Sequence, residues 1–290
     1  LAGGSHMVYL SRFTFPDPDQ EFDFFLSQKR TCYDSFYPFQ VLSRRAFSEV
    51  DFAPVTIFYG GNGSGKTTAL NIIAEKIRAA RDSAFNKSNF LPDYLALCEA
   101  EFQFPPGGCR IVTSDDVFDY MLNLRNLNEG IDVRREELFQ EFLSTKYARF
   151  RLESIEDYEK LKRNNNAKRL TQSKFVRGEL MNNVREHSNG ESAFRYFTEK
   201  IGEDGLYLLD EPETSLSPAR HVERVQFLTD SVRFFGCQFV IATHAPFILA
   251  FKGAKIYDLD ANPVDVKRWT QLPSVRAYYD FFQAHAREFE

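Results

Sequence analysis

The segment Gly60–Thr67 constrains the fold of this chain more than any other. It reads G-G-N-G-S-G-K-T and fits the pattern G-x-x-x-x-G-K-[ST] of a phosphate-binding loop. The apolar, β-branched run Val55–Tyr59 precedes it, and Thr68–Arg78 follows with a helical period. Glycines let the backbone N–H groups turn toward a phosphate at a helix N-terminus. The sequence therefore predicts a strand–loop–helix unit that binds a nucleoside triphosphate.

The loop residues have distinct predicted roles. Lys66 is expected to reach the β- and γ-phosphates, and the Thr67 hydroxyl is expected to bind Mg²⁺. The other phosphate contacts are assigned to Gly60, Gly61, Asn62, Gly63, Ser64, Gly65 and Thr68.

Two further apolar runs end in side chains suited to hydrolysis. Leu206–Asp210 ends in a carboxylate that is expected to hold Mg²⁺, and Glu211 beside it is placed to orient or deprotonate an attacking water. His244 follows the run Cys237–Thr243 and is expected to contact the γ-phosphate or that water. Because the ends of parallel strands meet at one sheet edge, these groups are expected to converge on the loop.

A fourth polar motif stands before a predicted helix. Ser188, Gly190 and Glu191 lie just ahead of a helix expected to begin near Ser192. Small polar residues at a helix N-terminus can form a second anion-binding site.

In this order and spacing, the four motifs resemble those of ATP-binding-cassette (ABC) ATPases. The resemblance covers about residues 50 to 260, and only the motifs are specific. It implies that His187–Glu191 is the signature motif, which in that family binds the γ-phosphate held by the opposite subunit. Ser188, Gly190 and Glu191 would then bind ATP across an ATP-dependent homodimer. The implied cofactors are ATP and Mg²⁺, and the implied catalytic residues are Lys66, Glu211 and His244.

The motifs also point to a branch of that family. The asparagine at position 62 resembles the SMC- and RecF-type form of the loop. Transporter cassettes more often carry serine at this position. Asp210–Leu216 and Thr243–Pro246 resemble small stand-alone bacterial ATPases that are often labelled AAA family.

Several family features are altered. His187 and Asn189 depart from the commonest signature, and no glutamine follows the strand Cys109–Thr113. In that family a glutamine usually follows this strand. Asp115 or Asp116 occupies its position here, and Gln103 in the preceding strand is a further candidate for its role. Asp115 is assigned as a third metal ligand beside Thr67 and Asp210. The aromatic that would stack on adenine is left open among Phe39, Phe47 and Phe52.

Alternating strands and helices predict an α/β fold with a mainly parallel sheet. We expect an N-terminal antiparallel β subdomain and an inserted helical lobe, and by resemblance a P-loop NTPase of the ABC head type. Residues 1–6 read as an expression-vector scar. The expected divisions are 8–113, 114–200 and 201–290. The main predicted elements are strands at Val8–Phe15, Tyr37–Leu42, Tyr94–Phe104, Cys109–Thr113 and Ala254–Leu259, and helices at 66–81, Ser217–Phe234 and Ser274–Phe289.

Composition and net charge limit the location of the protein and the kinds of site that it can contain. No apolar run approaches the length of a membrane span, and no signal peptide is evident, so a cytoplasmic protein is expected. Four widely spaced cysteines fit neither a zinc site nor a disulfide framework. The net charge of −5 argues against nucleic-acid binding by the whole surface. The basic segment 160–177 contains no acid, and two readings stay open for it: a phosphate-backbone site or a solvated loop.

The sequence therefore predicts an ATP-binding and ATP-hydrolysing ABC-type ATPase that dimerises around ATP. It would act as a switch or motor for an unidentified protein partner, with DNA repair and phage defence among the open roles. Two alternatives remain. One is an ATP-dependent interaction module with little turnover, and the other is the motor subunit of a transporter.

Overall fold

The computed structural model describes residues 7–29, 32–85, 87–147, 189–214 and 216–289. The chain forms two compact units. The first contains the described residues up to Val117 together with those from Asn189 onward, and the second begins at Phe118. The predicted scar at 1–6, the basic segment 160–177 and Ser188 lie outside the described residues.

Two sheets build the first unit. The strands of the described residues are β1 Leu10–Thr14, β2 Glu49–Asp51, β3 Val55–Tyr59, β4 Glu99–Phe102, β5 Gly108–Val112, β6 Gly205–Asp210, β7 Gln238–Thr243, β8 Lys255–Asp258 and β9 Asp265–Lys267. The larger sheet has the order β5-β6-β7-β3-β8-β9, in which only β9 is antiparallel to its neighbour. The smaller sheet, β2-β1-β4, is antiparallel. The predictions of an α/β fold, a mainly parallel sheet and an N-terminal antiparallel sheet are confirmed.

Helices alternate with the strands along the chain. In the described residues they are α1 Pro18–Ser27, α2 Lys66–Lys76, α3 Leu91–Leu97, α4 Ser114–Tyr147, α5 Asn189–Lys200, α6 Pro218–Phe234, α7 Pro246–Leu249 and α8 Pro273–Ala284. Short 3-10 turns add Ser43–Arg45, Trp269–Gln271 and Ala286–Glu288. Within the second unit, the described part is the portion of α4 from Phe118. In the described parts of the chain, no helix combines the length and apolar character that a bilayer crossing requires.

Burial explains the central strands and places the candidate site. Every residue of β3, β6 and β7 is buried, as expected for parallel strands covered on both faces. Tyr59 at the end of β3 lies opposite Thr243 on one side and Asp258 on the other, and Asp210 lies opposite Ala242. The carboxyl ends of four strands therefore meet at one edge.

The predicted strand Tyr37–Leu42 is wrong, because the segment forms consecutive turns. Gln40 has a φ of 63°, which breaks an extended run, and its N–H donates to the buried Glu21 carboxylate at 3.0 Å. The Phe39 ring stacks on Phe24 with centroids 4.1 Å apart. The apolar residues of this segment therefore pack onto α1 and do not belong to a strand.

The predicted strand Tyr94–Phe104 is only partly correct. Its first residues belong to helix α3, which has Pro92 in its first turn, and Glu99–Phe102 is the part that forms a strand. Helix α1 is a further difference, since the elements predicted for this N-terminal part were the strands Val8–Phe15 and Tyr37–Leu42. Asp17 and Gln20 form a capping box at its start, and that pattern is visible in the sequence.

Candidate functional site

The Gly60–Thr67 loop joins β3 to α2, as its motif requires. The Lys66 ammonium donates to the carbonyl oxygens of Gly60 at 2.6 Å and Gly61 at 2.9 Å. Lys66 is only 5% exposed. A buried ammonium is thereby held against the loop, beside the N-terminus of α2, which carries partial positive charge.

Gly65 shows why this loop needs glycine. Its φ is 95°, in the left-handed region, and a Cβ there would lie 3.1 Å from Leu42 Cδ2 and 3.3 Å from Val41 Cγ1. The loop thus closes tightly against the turn that replaces the expected strand. A larger residue would be strained at this φ, and the Leu42 and Val41 side chains would have to shift by a few tenths of an ångström.

A cavity of about 190 Å³ is formed by the loop. Its lining is Asn62, Gly63, Ser64, Gly65, Lys66, Thr67, Thr68 and Glu211. The Ser64 hydroxyl is buried and has no hydrogen-bond partner among the described residues. An orphaned hydroxyl, an ammonium and a helix N-terminus together form a donor set that fits phosphate oxygens.

Thr67 and Asp210 are brought together by the fold, although 143 positions separate them. The Thr67 hydroxyl donates to Asp210 Oδ1 at 3.1 Å. Burial raises the pKa of the Asp210 carboxyl to about 7, and the hydrogen bond from Thr67 opposes that shift. Mg²⁺ bound with phosphates commonly takes one or two protein oxygens, and this hydroxyl–carboxylate pair fits that need.

Asp115 and Asp116, the other acids considered, differ in environment. The described residues contain no group of three or more His, Cys, Asp or Glu side chains placed to hold a metal ion. Asp116 is buried and accepts from the backbone N–H of Ser83 and Thr113, so its carboxylate stabilises the start of α4. Asp115 is exposed, and its assignment as a metal ligand stays a prediction.

The raised pKa of Asp210 predicts a pH effect in metal-free protein. The folded pKa of about 7 exceeds the ordinary aspartate value of 3.8, so the folded state loses stability as pH rises between these two values. Asp210→Asn should remove this loss. We expect the substitution to raise the free energy of unfolding by about 4 kcal/mol above pH ~7 and by little near pH ~4. Urea unfolding in chelator at both pH values measures it. Asp93→Asn, at an exposed acid, is the control, and an equal effect of Asp210→Asn at both pH values would contradict the prediction.

Glu211 has a strained backbone. Its φ is 45°, which a residue with a side chain rarely adopts, and its N–H donates to the Ala242 carbonyl at 2.9 Å. The Oε1 atom lies 3.7 Å from His244 Nδ1. The side chains are 31% and 56% exposed, respectively, so the candidate base and the histidine both face solvent in one chain. The predicted convergence of Glu211 and His244 is therefore present in the geometry.

Glu213 was missed by the sequence reasoning. Its Oε1 accepts from the Thr243 hydroxyl at 2.6 Å and lies 3.6 Å from His244 Nδ1. This buried carboxylate thus orients the end of β7, and with it His244. Its position three residues after Asp210 carries no separate sequence signal.

Asp260 is a second missed residue. Its Oδ2 accepts from the Gly61 N–H at 2.8 Å, so it stabilises the first part of the loop. The available signal was its place two residues after β8, because β8 is parallel to β3 and ends at the same edge.

The signature motif differs from expectation in its local structure. Helix α5 begins at Asn189, three residues before the expected start near Ser192. Gly190 and Glu191 therefore lie in its first turn rather than ahead of it, while Ser188 is outside the described residues. The assignment of these three residues to phosphate stays a prediction.

Arg224 of α6 is a buried charge close to the site residues. It is 1% exposed, and its three nitrogens have no hydrogen-bond partner among the described residues. The guanidinium lies 4.2 Å from the ring centre of Phe197 and 5.3 Å from that of Phe194, both on α5. Burial lowers its pKa to about 9, and the Glu213 carboxylate opposes that shift. Arg224 thus packs on α5 while its charge compensates Glu213.

A double-mutant cycle tests this link. Arg224→Met keeps the packing but removes the positive charge near Glu213, and we expect the loss of this coupling to lower the free energy of unfolding by about 0.5 to 3 kcal/mol. Adding Glu213→Gln should recover most of that loss, as measured by urea unfolding at neutral pH. Additive effects of the two substitutions would show that the charges are not coupled.

The candidate aromatics for adenine are core residues. Phe39, Phe47 and Phe52 are 4%, 2% and 8% exposed, and all belong to the hydrophobic core. Tyr37 is instead 37% exposed, and its hydroxyl lies 3.0 Å from Thr68 Oγ1. It lines a cavity of about 480 Å³ next to the loop. The sequence did not identify Tyr37 as a candidate, because its segment was predicted to be a strand and forms a turn instead.

Comparison with known proteins adds distant structural neighbours. No family model and no curated protein matches the chain. An SMC head domain from Thermotoga maritima is 13% identical, with 90% of this chain and 99% of that chain covered and a TM-score of 0.39. The SMC head bound to the C-winged helix domain of ScpA is 16% identical (76% and 91% covered, TM-score 0.36). A dimeric ATP-binding cassette bound to ADP and Pi is 15% identical (78% and 91%, TM-score 0.34). The functional argument therefore rests on the site itself.

Proposed function

We propose that this protein binds and hydrolyses ATP with Mg²⁺. The hydrogen bond from Thr67 to Asp210 carries the proposal, because it joins a phosphate-binding loop to the strand end that precedes Glu211. Phosphoryl transfer needs a phosphate cradle, a metal position and a residue that orients the nucleophile, and these three parts lie at one sheet edge. The decisive test compares the rates of ATP hydrolysis of the wild type and the Lys66→Ala variant.

Each residue has a role in the proposed reaction. Lys66 and the loop amides bind the phosphates, and Thr67 and Asp210 hold Mg²⁺, which neutralises developing charge on the phosphate oxygens. Glu211 lines the same cavity and orients the attacking water or accepts its proton. His244 lies within reach of Glu211 and senses the γ-phosphate.

We further propose that two chains complete the site. Glu211 and His244 are partly solvent-exposed, and efficient phosphoryl transfer benefits from a site closed to water. Ser188, Gly190 and Glu191 of a second copy would cover the phosphates, as the resemblance to ABC ATPases implies. ATP would then hold the dimer together, and hydrolysis would release it.

Adenine is assigned to the side of the loop where Tyr37 lies. The ring is accessible, and its hydroxyl contacts Thr68 directly beside the phosphate loop. The adjacent cavity provides space for a base.

The output of the ATP cycle is proposed from the resemblance alone. Asn62 favours the SMC- and RecF-type branch over transporters, so we propose a switch or motor that acts on an unidentified partner protein, in DNA repair or phage defence. The segment 160–177 is the candidate contact for nucleic acid. Bound ATP without measurable turnover would favour the interaction-module alternative instead.

A further inference from the structure

A third cavity, which the proposed ATP site does not use, lies at the start of β8. Its volume is about 810 Å³, within the range of small-molecule sites. Lys255 opens β8, whereas the phosphate loop follows the end of the parallel neighbour β3. The two sites therefore occur at opposite ends of adjacent strands. The lining comes from the segments 249–256 and 266–271.

The lining is basic. Lys252, Lys255, Lys267 and Arg268 all contribute, and none of the described residues that line the cavity is acidic. Lys267 is paired with Asp258 at 2.7 Å, and the Lys255 ammonium lies 5.2 Å from the ring centre of Tyr257. Lys252, Lys255 and Arg268 are therefore the lining cations that have no carboxylate partner among the described residues. Lys252 and Arg268 are exposed, and no ion pair involves them in the described residues. Such a concentration of positive charge in a chain of net charge −5 favours an anionic ligand.

An aromatic side chain lines the same cavity as these cations. Trp269 follows Arg268, lines the cavity and is 39% exposed. Thr270 and Gln271 add polar side chains to the same wall. A partly exposed indole is a poor core residue but a good surface for stacking a base.

We propose that this cavity binds a nucleotide unit, meaning an aromatic base that carries phosphate. The base stacks on Trp269, and the phosphate is held by Lys252, Lys255 and Arg268. This combination of a flat aromatic face and several cations matches both halves of a nucleotide, whereas a simple inorganic anion leaves the indole unused. The site is separate from the phosphate loop and does not depend on ATP hydrolysis.

Two kinds of ligand present a base that carries phosphate: a free mononucleotide and a short single strand of nucleic acid. Both offer a base and a phosphate, and they differ in the number of units that bind at once. A strand brings additional phosphates to the same basic lining and displaces more counterions, so its binding has a steeper salt dependence than that of a mononucleotide. Titrations with AMP and with a pentathymidylate separate the two sources.

Intrinsic fluorescence gives a local readout, because Trp269 is the single tryptophan of the chain. The titrations use the full chain carrying Lys66→Ala, which weakens binding of the probes at the phosphate loop. We expect saturable quenching by at least one of the two probes. Quenching with neither probe would overturn the proposal, as would binding detected by anisotropy of labelled probe without any change in Trp269 emission.

Matched variants test the predicted contacts. Lys252→Glu is expected to weaken binding at least about tenfold, while Lys29→Glu, at an exposed lysine on a different surface segment, leaves it unchanged. Trp269→Phe should retain anisotropy-detected binding, and Trp269→Leu should lose most of it. Equal affinities for Lys252→Glu and Lys29→Glu would overturn the assignment. Retained ATP hydrolysis in Lys252→Glu is expected, since that residue is remote in the fold from the loop.

Discussion

Replacing Lys66 with alanine is expected to reduce ATP hydrolysis by about a hundredfold or more. The ammonium is buried and held against the loop by the carbonyls of Gly60 and Gly61, so it is already placed where phosphate charge would develop. Removal of one preorganised donor of this kind costs about 10²- to 10³-fold in rate. Steady-state phosphate release at saturating Mg²⁺ and ATP measures the effect.

The control for this variant is Lys76→Ala. Lys76 ends the same helix, and its ammonium donates to the Leu95 carbonyl at 2.9 Å, so its loss also removes a lysine–carbonyl hydrogen bond. We expect near-normal hydrolysis from Lys76→Ala, and urea unfolding establishes that both variants are folded. Hydrolysis by Lys66→Ala at the rate of the Lys76→Ala control would remove the phosphate loop from the proposed reaction.

The site residues at strand ends could be predicted from the sequence for a physical reason. Parallel strands buried on both faces are continuous apolar runs, and their carboxyl ends must meet at one edge. Asp210 and His244 end such runs, and β6, β7 and β3 are direct neighbours in the sheet. The pattern therefore predicted both the sheet and the juxtaposition of these residues with the loop.

Other parts depended on tertiary contacts that the sequence does not encode locally. Tyr37–Leu42 has the composition of a strand, but Gln40 turns the chain onto the Glu21 carboxylate, and this turn brings Tyr37 to the loop. Glu213 supports Thr243 across 30 positions, and Asp260 supports Gly61 across 199. Single polar residues in loops carry no periodicity, so their partners follow only from the folded chain.

Glu211→Gln is expected to stop turnover while ATP stays bound. The amide keeps the size of the side chain and its position at the cavity, and it leaves the φ of 45° and the backbone hydrogen bond to Ala242 undisturbed. It cannot accept a proton from water, so the loss of rate should be about 10²- to 10⁴-fold. Phosphate release by this variant, compared with that of Glu203→Gln at an exposed acid, measures this first effect.

The same variant should trap the proposed dimer. If the partner copy covers the γ-phosphate, ATP that is not hydrolysed keeps both halves together, because a nucleotide that contacts both copies binds the associated state more tightly than the single chain. Light scattering with Mg²⁺ and ATP should then give twice the chain mass of 33.6 kDa for Glu211→Gln. The Lys66→Ala, Glu211→Gln double variant should remain at the chain mass, because it lacks the phosphate contact that starts the assembly. A Glu211→Gln protein that binds ATP at saturation and stays monomeric would refute the role of Ser188, Gly190 and Glu191 across the interface, whereas wild-type turnover in Glu211→Gln would refute the role of Glu211 alone.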